Sequence, residues 1–178
     1  DEAHAAGAII ASSGGKRAIS EGGGANRSST SLHYCGIAHD LLVYGGMVDP
    51  KKDPYVIVKG KEERTWTVYA RCSPGKGQNL KLKGFTYQKT EVEVSGDFIN
   101  LTDLFAKHGW KPIRARSTFF GSKRNDLGAE WWHFQAEHLL RPGISTFGGE
   151  LLVLYSIDEL WKYSLWNYRN LVWQKDWF

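Results

Sequence analysis

Two short segments of this sequence gather the residue types that chemistry at a metal ion requires. The first runs Ser31-Leu32-His33-Tyr34-Cys35-Gly36-Ile37-Ala38-His39-Asp40, and the second is Glu130-Trp131-Trp132-His133. Neutral imidazoles and ionised carboxylates are good zinc ligands, and a hydrolytic zinc site uses three of them and keeps a fourth position open. His33, Asp40 and His133 make up such a set. Zinc polarises a carbonyl and brings the pKa of water toward neutrality. A neighbouring carboxylate, here Glu130, can then accept the water's proton and return it to a leaving amine. Gly36 and Ala38 leave room for the backbone to turn and for a substrate to approach. Glu130 and His133 stand three apart, and on a straight strand such residues face opposite sides. A bend or bulge is therefore expected at Glu130, with Gly128 just upstream to permit it.

The pattern Ser-x-His-x-x-Gly-x-Ala-x-Asp, followed much later by Glu-x-Trp-His, resembles the zinc D-alanyl-D-alanine carboxypeptidases and the VanX-type D-Ala-D-Ala dipeptidases. The match falls on Ser31, His33, Gly36, Ala38 and Asp40, then on Glu130, Trp132 and His133. The wording Glu-Trp-Trp-His-Phe at 130–134 is especially close to the dipeptidases. The resemblance implies one zinc per chain held by His33, Asp40 and His133, with Glu130 as general base. It implies a small α+β domain with a central antiparallel sheet, shared with the Hedgehog signalling domain. It also implies an arginine upstream of the first motif that binds substrate and supports the oxyanion. Arg17 in Ser13-Gly14-Gly15-Lys16-Arg17 is the candidate, with Lys16 in reserve. A fixed guanidinium can grip a carboxylate through two parallel hydrogen bonds. Ser31, Trp131 and Trp132 join it as expected substrate contacts, the two tryptophans shared between core and cleft wall. The gap between Asp40 and Glu130 is longer than in that family, and a β-rich stretch, 44–97, fills it.

The implied activity is hydrolysis of peptide bonds next to D-alanine in the stem peptides of peptidoglycan, the bacterial wall polymer. A periplasmic or cell-surface location follows from that substrate, since no signal peptide is recognisable in this sequence. Three other functions compete. An endopeptidase would cut between L-alanine and D-glutamate, or in the cross-bridge. A non-catalytic binding domain would keep its zinc structurally, but Glu130 has no purpose there. A nucleic-acid binder rests only on the net charge of +4 and the eight tryptophans, and the basic residues are scattered among acids, so nucleic acid is not expected as a partner. No stretch approaches the roughly 20 apolar residues that span a bilayer.

Several residues have plainer readings. His39 neighbours Asp40 on a strand and should point away from it. His138 reads as an exposed histidine, and His4 and His108 have no chemical context. The basic residues Lys111, Arg114, Arg116, Lys123 and Arg124 read as a solvated loop. Cys35 and Cys72 are too few for a zinc-finger framework; they could form one disulfide in an exported protein or stay as two buried thiols, and since nothing in their spacing demands a bridge, thiols are the favoured reading. The tail aromatics Trp161, Tyr163, Trp166, Tyr168, Trp173 and Trp177 read as packing over the domain.

The elements that must position these groups are mixed. A length of 178 residues, 42% of them hydrophobic, suits a single domain with an ordinary core. Ala8–Ala11 has strand character, a Gly/Ser-rich loop covers 22–31, and Leu41-Leu42-Val43 reads as a buried strand. Residues 55–58, 65–70, 81–87 and 90–94 are rich in Val, Thr and aromatics, with turn signals between them, which predicts an antiparallel meander or pair of hairpins. Asn100 is a predicted N-cap for a helix carrying Leu101, Leu104 and Phe105 and stopped at Gly109. Residues 111–128 read as irregular, 131–136 as a strand, and 151–155 as a strand. Ser156-Ile157-Asp158-Glu159 has the form of a capping box opening a helix.

Overall fold

The computed structural model describes residues 2–21, 31–140 and 146–163. In chain order the strands are β1 (Ser12–Gly14), β2 (Ala38–Leu41), β3 (Tyr55–Lys59), β4 (Trp66–Arg71), β5 (Gln78–Phe85), β6 (Glu91–Asn100), β7 (Lys111–Pro112) and β8 (His133–Gln135). The α-helices are α1 (Glu2–Ala5), α2 (Leu101–Lys107), α3 (Ser117–Phe120), α4 (Phe147–Leu154) and α5 (Ile157–Lys162). The fold is α+β with two antiparallel sheets, ordered β1-β2-β8-β7 and β3-β4-β6-β5. By contact density the chain divides into two compact units, Asp1–Ser13 with Asp40–Phe134, and Gly14–His39 with Gln135–Phe178. The chain passes between them inside β1, β2 and β8.

In the first unit, the β-rich stretch forms a sheet of its own. The β3–β4 hairpin pairs Ile57 with Val68, the β5–β6 hairpin pairs Leu82 with Val94, and β4 joins β6 through Ala70 and Ile99. Side-chain alternation sorts its two faces. Tyr55, Ile57, Trp66, Val68 and Phe85 enter a large core with Leu101, Leu104, Phe119, Trp131 and Phe134. Val56, Leu82, Val94 and Phe98 form a smaller cluster on the other face. The strands differ from the sequence pattern at their ends: β4 starts and ends one residue later than expected, β5 starts three residues earlier and ends two earlier, and β6 extends to Asn100 and runs directly into α2. There the Asn100 side chain accepts a hydrogen bond from the Asp103 N–H, so the expected cap is present.

Three predicted strands are corrected. No strand forms at Ala8–Ala11: Ile9 is 76% exposed, and the backbone N–H and C=O of Ala11 are both engaged by the Tyr55 hydroxyl. The Tyr55 hydroxyl takes up the Ala11 N–H, the Ala11 carbonyl also accepts from Leu42 N–H at 3.0 Å, and β1 starts one residue later. Beyond Asp40 the strand stops at Leu41, because Gly45 N–H donates to the Leu42 carbonyl and closes a 3-10 turn over Val43–Gly45. Residues 151–155 belong to helix α4 and its cap rather than to a strand. Thr146 caps it by accepting from Gly149 N–H, and Phe147 and Leu151, four apart, are both fully buried. The capping box at Ser156 and Glu159 is formed as expected.

The second unit buries Ile19, Leu32, Tyr34, Ile37, Phe147, Leu151 and Leu160. Trp161 is 59% exposed, so for this residue the packing expectation does not hold. Trp166, Tyr168, Trp173 and Trp177, and the loop at 22–30, lie outside the described residues. Cys35 and Cys72 are free thiols. No helix among the described residues is long and apolar enough to cross a membrane.

Candidate metal centre

His33 sits on a series of tight turns. Tyr34 N–H donates to Ser31 O, Cys35 N–H to Leu32 O, and Gly36 N–H to His33 O. The run ends with Gly36 at φ 71°, a left-handed conformation that a side chain would disfavour. The imidazole Nδ1 faces the Gly15 carbonyl oxygen. A carbonyl only accepts, so Nδ1 carries the proton in the neutral ring and the lone pair lies on Nε2. A histidine that ligates a metal usually donates its other ring N–H to a carbonyl or carboxylate in this way. Ser31 Oγ accepts weakly from His33 N–H at 3.4 Å, which gives Ser31 a structural place on this turn. Arg17 N–H donates to the His33 carbonyl at 3.0 Å. The Arg17 guanidinium lies over the Tyr34 ring, 5.8 Å from its centroid, and Lys16 lies over Tyr155.

Asp40 is the third residue of β2, its carbonyl held by the Ser12 hydroxyl at 2.8 Å. His133 opens β8 and points Nδ1 at Asp40 Oδ1, 2.9 Å away. His33, Asp40 and His133 each offer a ligand atom within 4.8 Å of the others, a group that could hold a metal ion. Ligand atoms on one tetrahedral zinc stand about 3.4 Å apart at ordinary bond lengths, which falls inside the 4.8 Å within which these atoms lie. Two imidazoles and a carboxylate match the three-ligand sets of hydrolytic zinc sites. Neither His39 nor His138 enters a metal-capable group among the described residues.

Glu130 is placed by the bend that its spacing to His133 requires. A 3-10 helix spans Asp126–Ala129, capped by the Asn125 side chain on Gly128 N–H. Glu130 itself then takes the left-handed conformation, φ 52° and ψ 12°. His133 N–H donates to the Glu130 carbonyl at 3.1 Å, so residues 130–133 form a β-turn and the strand begins only at His133. The bend falls on Glu130, not on Gly128. Gly128 serves instead to let the chain pass close to its neighbours, since a Cβ there would meet Asn125 Nδ2 at 3.0 Å. Buried Trp66 donates from Nε1 to the Ala129 carbonyl at 2.7 Å and fixes the approach to Glu130.

The Glu130 carboxylate is buried and meets Arg116, whose Nε and Nη2 each stand 2.7 Å from Oε1. Arg116 is the residue that sequence reading missed, since an arginine in an irregular loop carries no periodic signal. Its basic neighbours and its position ahead of Glu130 were the only hints. Trp131 is fully buried and Trp132 nearly so, both in the large core. The expected share of cleft wall is thus absent for Trp131, whose Nε1 donates to the Tyr87 hydroxyl at 3.2 Å. Burial pushes the Tyr87 phenol well above its ordinary range, so it stays a neutral hydrogen-bonding strut.

No family model, curated protein or solved structure matches this chain.

Proposed function

We propose that this protein is a zinc peptidase that hydrolyses bonds next to D-alanine in peptidoglycan stem peptides, of the carboxypeptidase or dipeptidase type. The observation that carries the reading is the group His33, Asp40 and His133, with a buried glutamate turned onto the same segment three residues before His133. A site that only stabilises the fold gains nothing from an ionisable carboxylate beside it, and it usually fills all four ligand positions with side chains.

His33, Asp40 and His133 would hold the zinc, which supplies the Lewis acidity that polarises a carbonyl and lowers the pKa of water. The chain's own residues do the rest. Gly15 fixes the tautomer of His33 through Nδ1. Glu130 accepts a proton from the attacking water and delivers it to the leaving nitrogen. Arg116 holds the Glu130 carboxylate through one oxygen, Oε1, and in this reading Oε2 would carry the proton. Export to the periplasm or cell surface is part of the same proposal, since the substrate lies there.

The test is mass spectrometry of pentapeptide-bearing wall fragments after incubation with zinc-loaded protein, beside a chelated control. Loss of terminal D-alanine in the zinc sample alone is the expected result. Cleavage inside the stem or cross-bridge would make the protein an endopeptidase, and no cleavage with zinc bound would refute the peptidase reading for this substrate.

A further inference from the structure

A cavity that shares no residue with the metal group lies within the first unit, between the turn of the β3–β4 hairpin and α3. Its volume is about 470 Å³, a size that admits a small organic ligand. Phe120 forms an aromatic wall. Its ring is stacked on Trp66 at 22° with centroids 6.0 Å apart, yet Phe120 stays 41% exposed while Trp66 is 2% exposed. Such a shelf can take a further flat ring, because aromatic pairs gain more than the area they bury. The charged groups around the cavity are nearly all matched. Lys59 lies over the Phe85 ring and pairs with Glu91 at 3.4 Å, Glu62 pairs with Arg114, and the Glu63 side chain is 87% exposed to water. Arg64 is the exception. Its Nε is buried and makes no hydrogen bond, and the Glu63 carboxylate stands 4.0 Å from it, beyond hydrogen-bonding reach. Native folds rarely leave a buried polar nitrogen unpaired.

Arg64 is also held in a strained backbone. It takes the left-handed conformation, φ 61°, which a non-glycine residue keeps only where surrounding contacts impose it. Those contacts come from both sides. Ala115 N–H donates to the Arg64 carbonyl and Gly60 N–H to the Thr65 carbonyl, both at 2.8 Å, and the Thr65 hydroxyl donates to the Glu62 carbonyl. Residues strained in this way cluster at ligand clamps and switch regions. We propose that this cavity binds an aromatic carboxylate, its ring against Phe120 and its carboxylate on the Arg64 guanidinium. The guanidinium fork matches a carboxylate through two parallel N–H donors. A neutral aromatic ligand would leave Arg64 unmatched, and a phosphate would bring more negative charge than one guanidinium offsets. The cavity contains none of His33, Asp40 and His133, so the inference stands apart from the peptidase reading.

The probes are cinnamate and cinnamamide, alike in shape and different in charge. Each is titrated by calorimetry into the full chain with chelator present, so that no metal competes for the carboxylate. Cinnamate should bind with a Kd of about 1 mM or below, as its size allows, and roughly tenfold more tightly than the amide, the value of a charge-assisted bond. That ratio should fall close to one in Arg64→Gln. Arg64→Gly removes the same charge and relieves the left-handed backbone, so it carries the test if glutamine disturbs the hairpin, and it should show the same lost preference. Phe120→Ala should weaken both probes by roughly two- to tenfold, the worth of an aromatic pair. Arg124→Gln, which alters an exposed arginine paired with Asp126, should keep the wild-type ratio. No binding of cinnamate, an unchanged ratio in the Arg64 variants, an equal loss in Arg124→Gln, or undiminished binding in Phe120→Ala would each overturn the proposal.

Discussion

Glu130 offers a prediction in which stability and activity move apart. A non-glycine residue in the left-handed region costs roughly 1–2 kcal/mol, and Glu130 adopts it at φ 52°. Glu130→Ala and Glu130→Gly both delete the carboxylate and its contact with Arg116. That contact is worth at most about 1 kcal/mol, because the arginine is half exposed and screened by solvent. The two variants differ chiefly in backbone cost. Alanine keeps the left-handed penalty, whereas glycine escapes it and gives back roughly 0.5–1 kcal/mol in unfolded-state entropy. Glu130→Gly should therefore be the more stable by about 0.5–1 kcal/mol, the opposite of the usual order within helices and strands. For a chain of this length that is about 1–4 °C in Tm, readable by circular dichroism alongside urea midpoints at unchanged m value. Both variants, and Glu130→Gln, should retain zinc and lose roughly 10²–10⁴ in hydrolytic rate. Equal or greater stability of Glu130→Ala would show that residue 130 does not take the left-handed turn. Near-wild-type activity in Glu130→Gln would remove it from the chemistry.

Two other predictions concern the metal and the last described helix. Saturating zinc at about 100 times its Kd should raise Tm by about 5–10 °C over the chelated protein. Single substitutions His33→Ala, Asp40→Ala and His133→Ala should each abolish the rise and the metal content measured by elemental mass spectrometry; a full rise in any of them would drop that residue from the ligand set. At α5, the backbone N–H of Ser156 and then its hydroxyl hold the Glu159 carboxyl below the usual glutamate range. A depressed carboxyl stabilises the fold above its unfolded pKa and loses that contribution as pH falls through the folded value. The Ser156 amide resonance should thus shift in acid, at a lower pH than an ordinary glutamate would titrate, and Glu159→Gln should erase the step; an unshifted amide would exclude the capping box in solution.

The sequence by itself determined what local chemistry controls. Alternating Val, Thr and aromatic residues marked four strands, because a period of two can only sort side chains between the faces of a sheet. Asn100 and Ser156 marked helix starts, because capping is settled within three or four residues of the cap. The types and spacing of His33, Asp40 and His133 marked a ligand set for the same reason, since donor chemistry is a property of the residue. Short apolar runs were misread where a contact distant in sequence decided the outcome. Tyr55 occupies the backbone of Ala11 from 44 residues away, and the segment at 151–155 turned helical once Phe147 and Leu151 found one buried face. Tertiary structure alone decided how Glu130 is presented. Its left-handed turn depends on the Asn125 cap, the Trp66 bond to Ala129 and the close passage at Gly128. Its partner Arg116 lies across an irregular loop, where no periodicity links one residue to another. Pairings of that kind are set by where the core lets the chain return, and a linear sequence carries no signal of it.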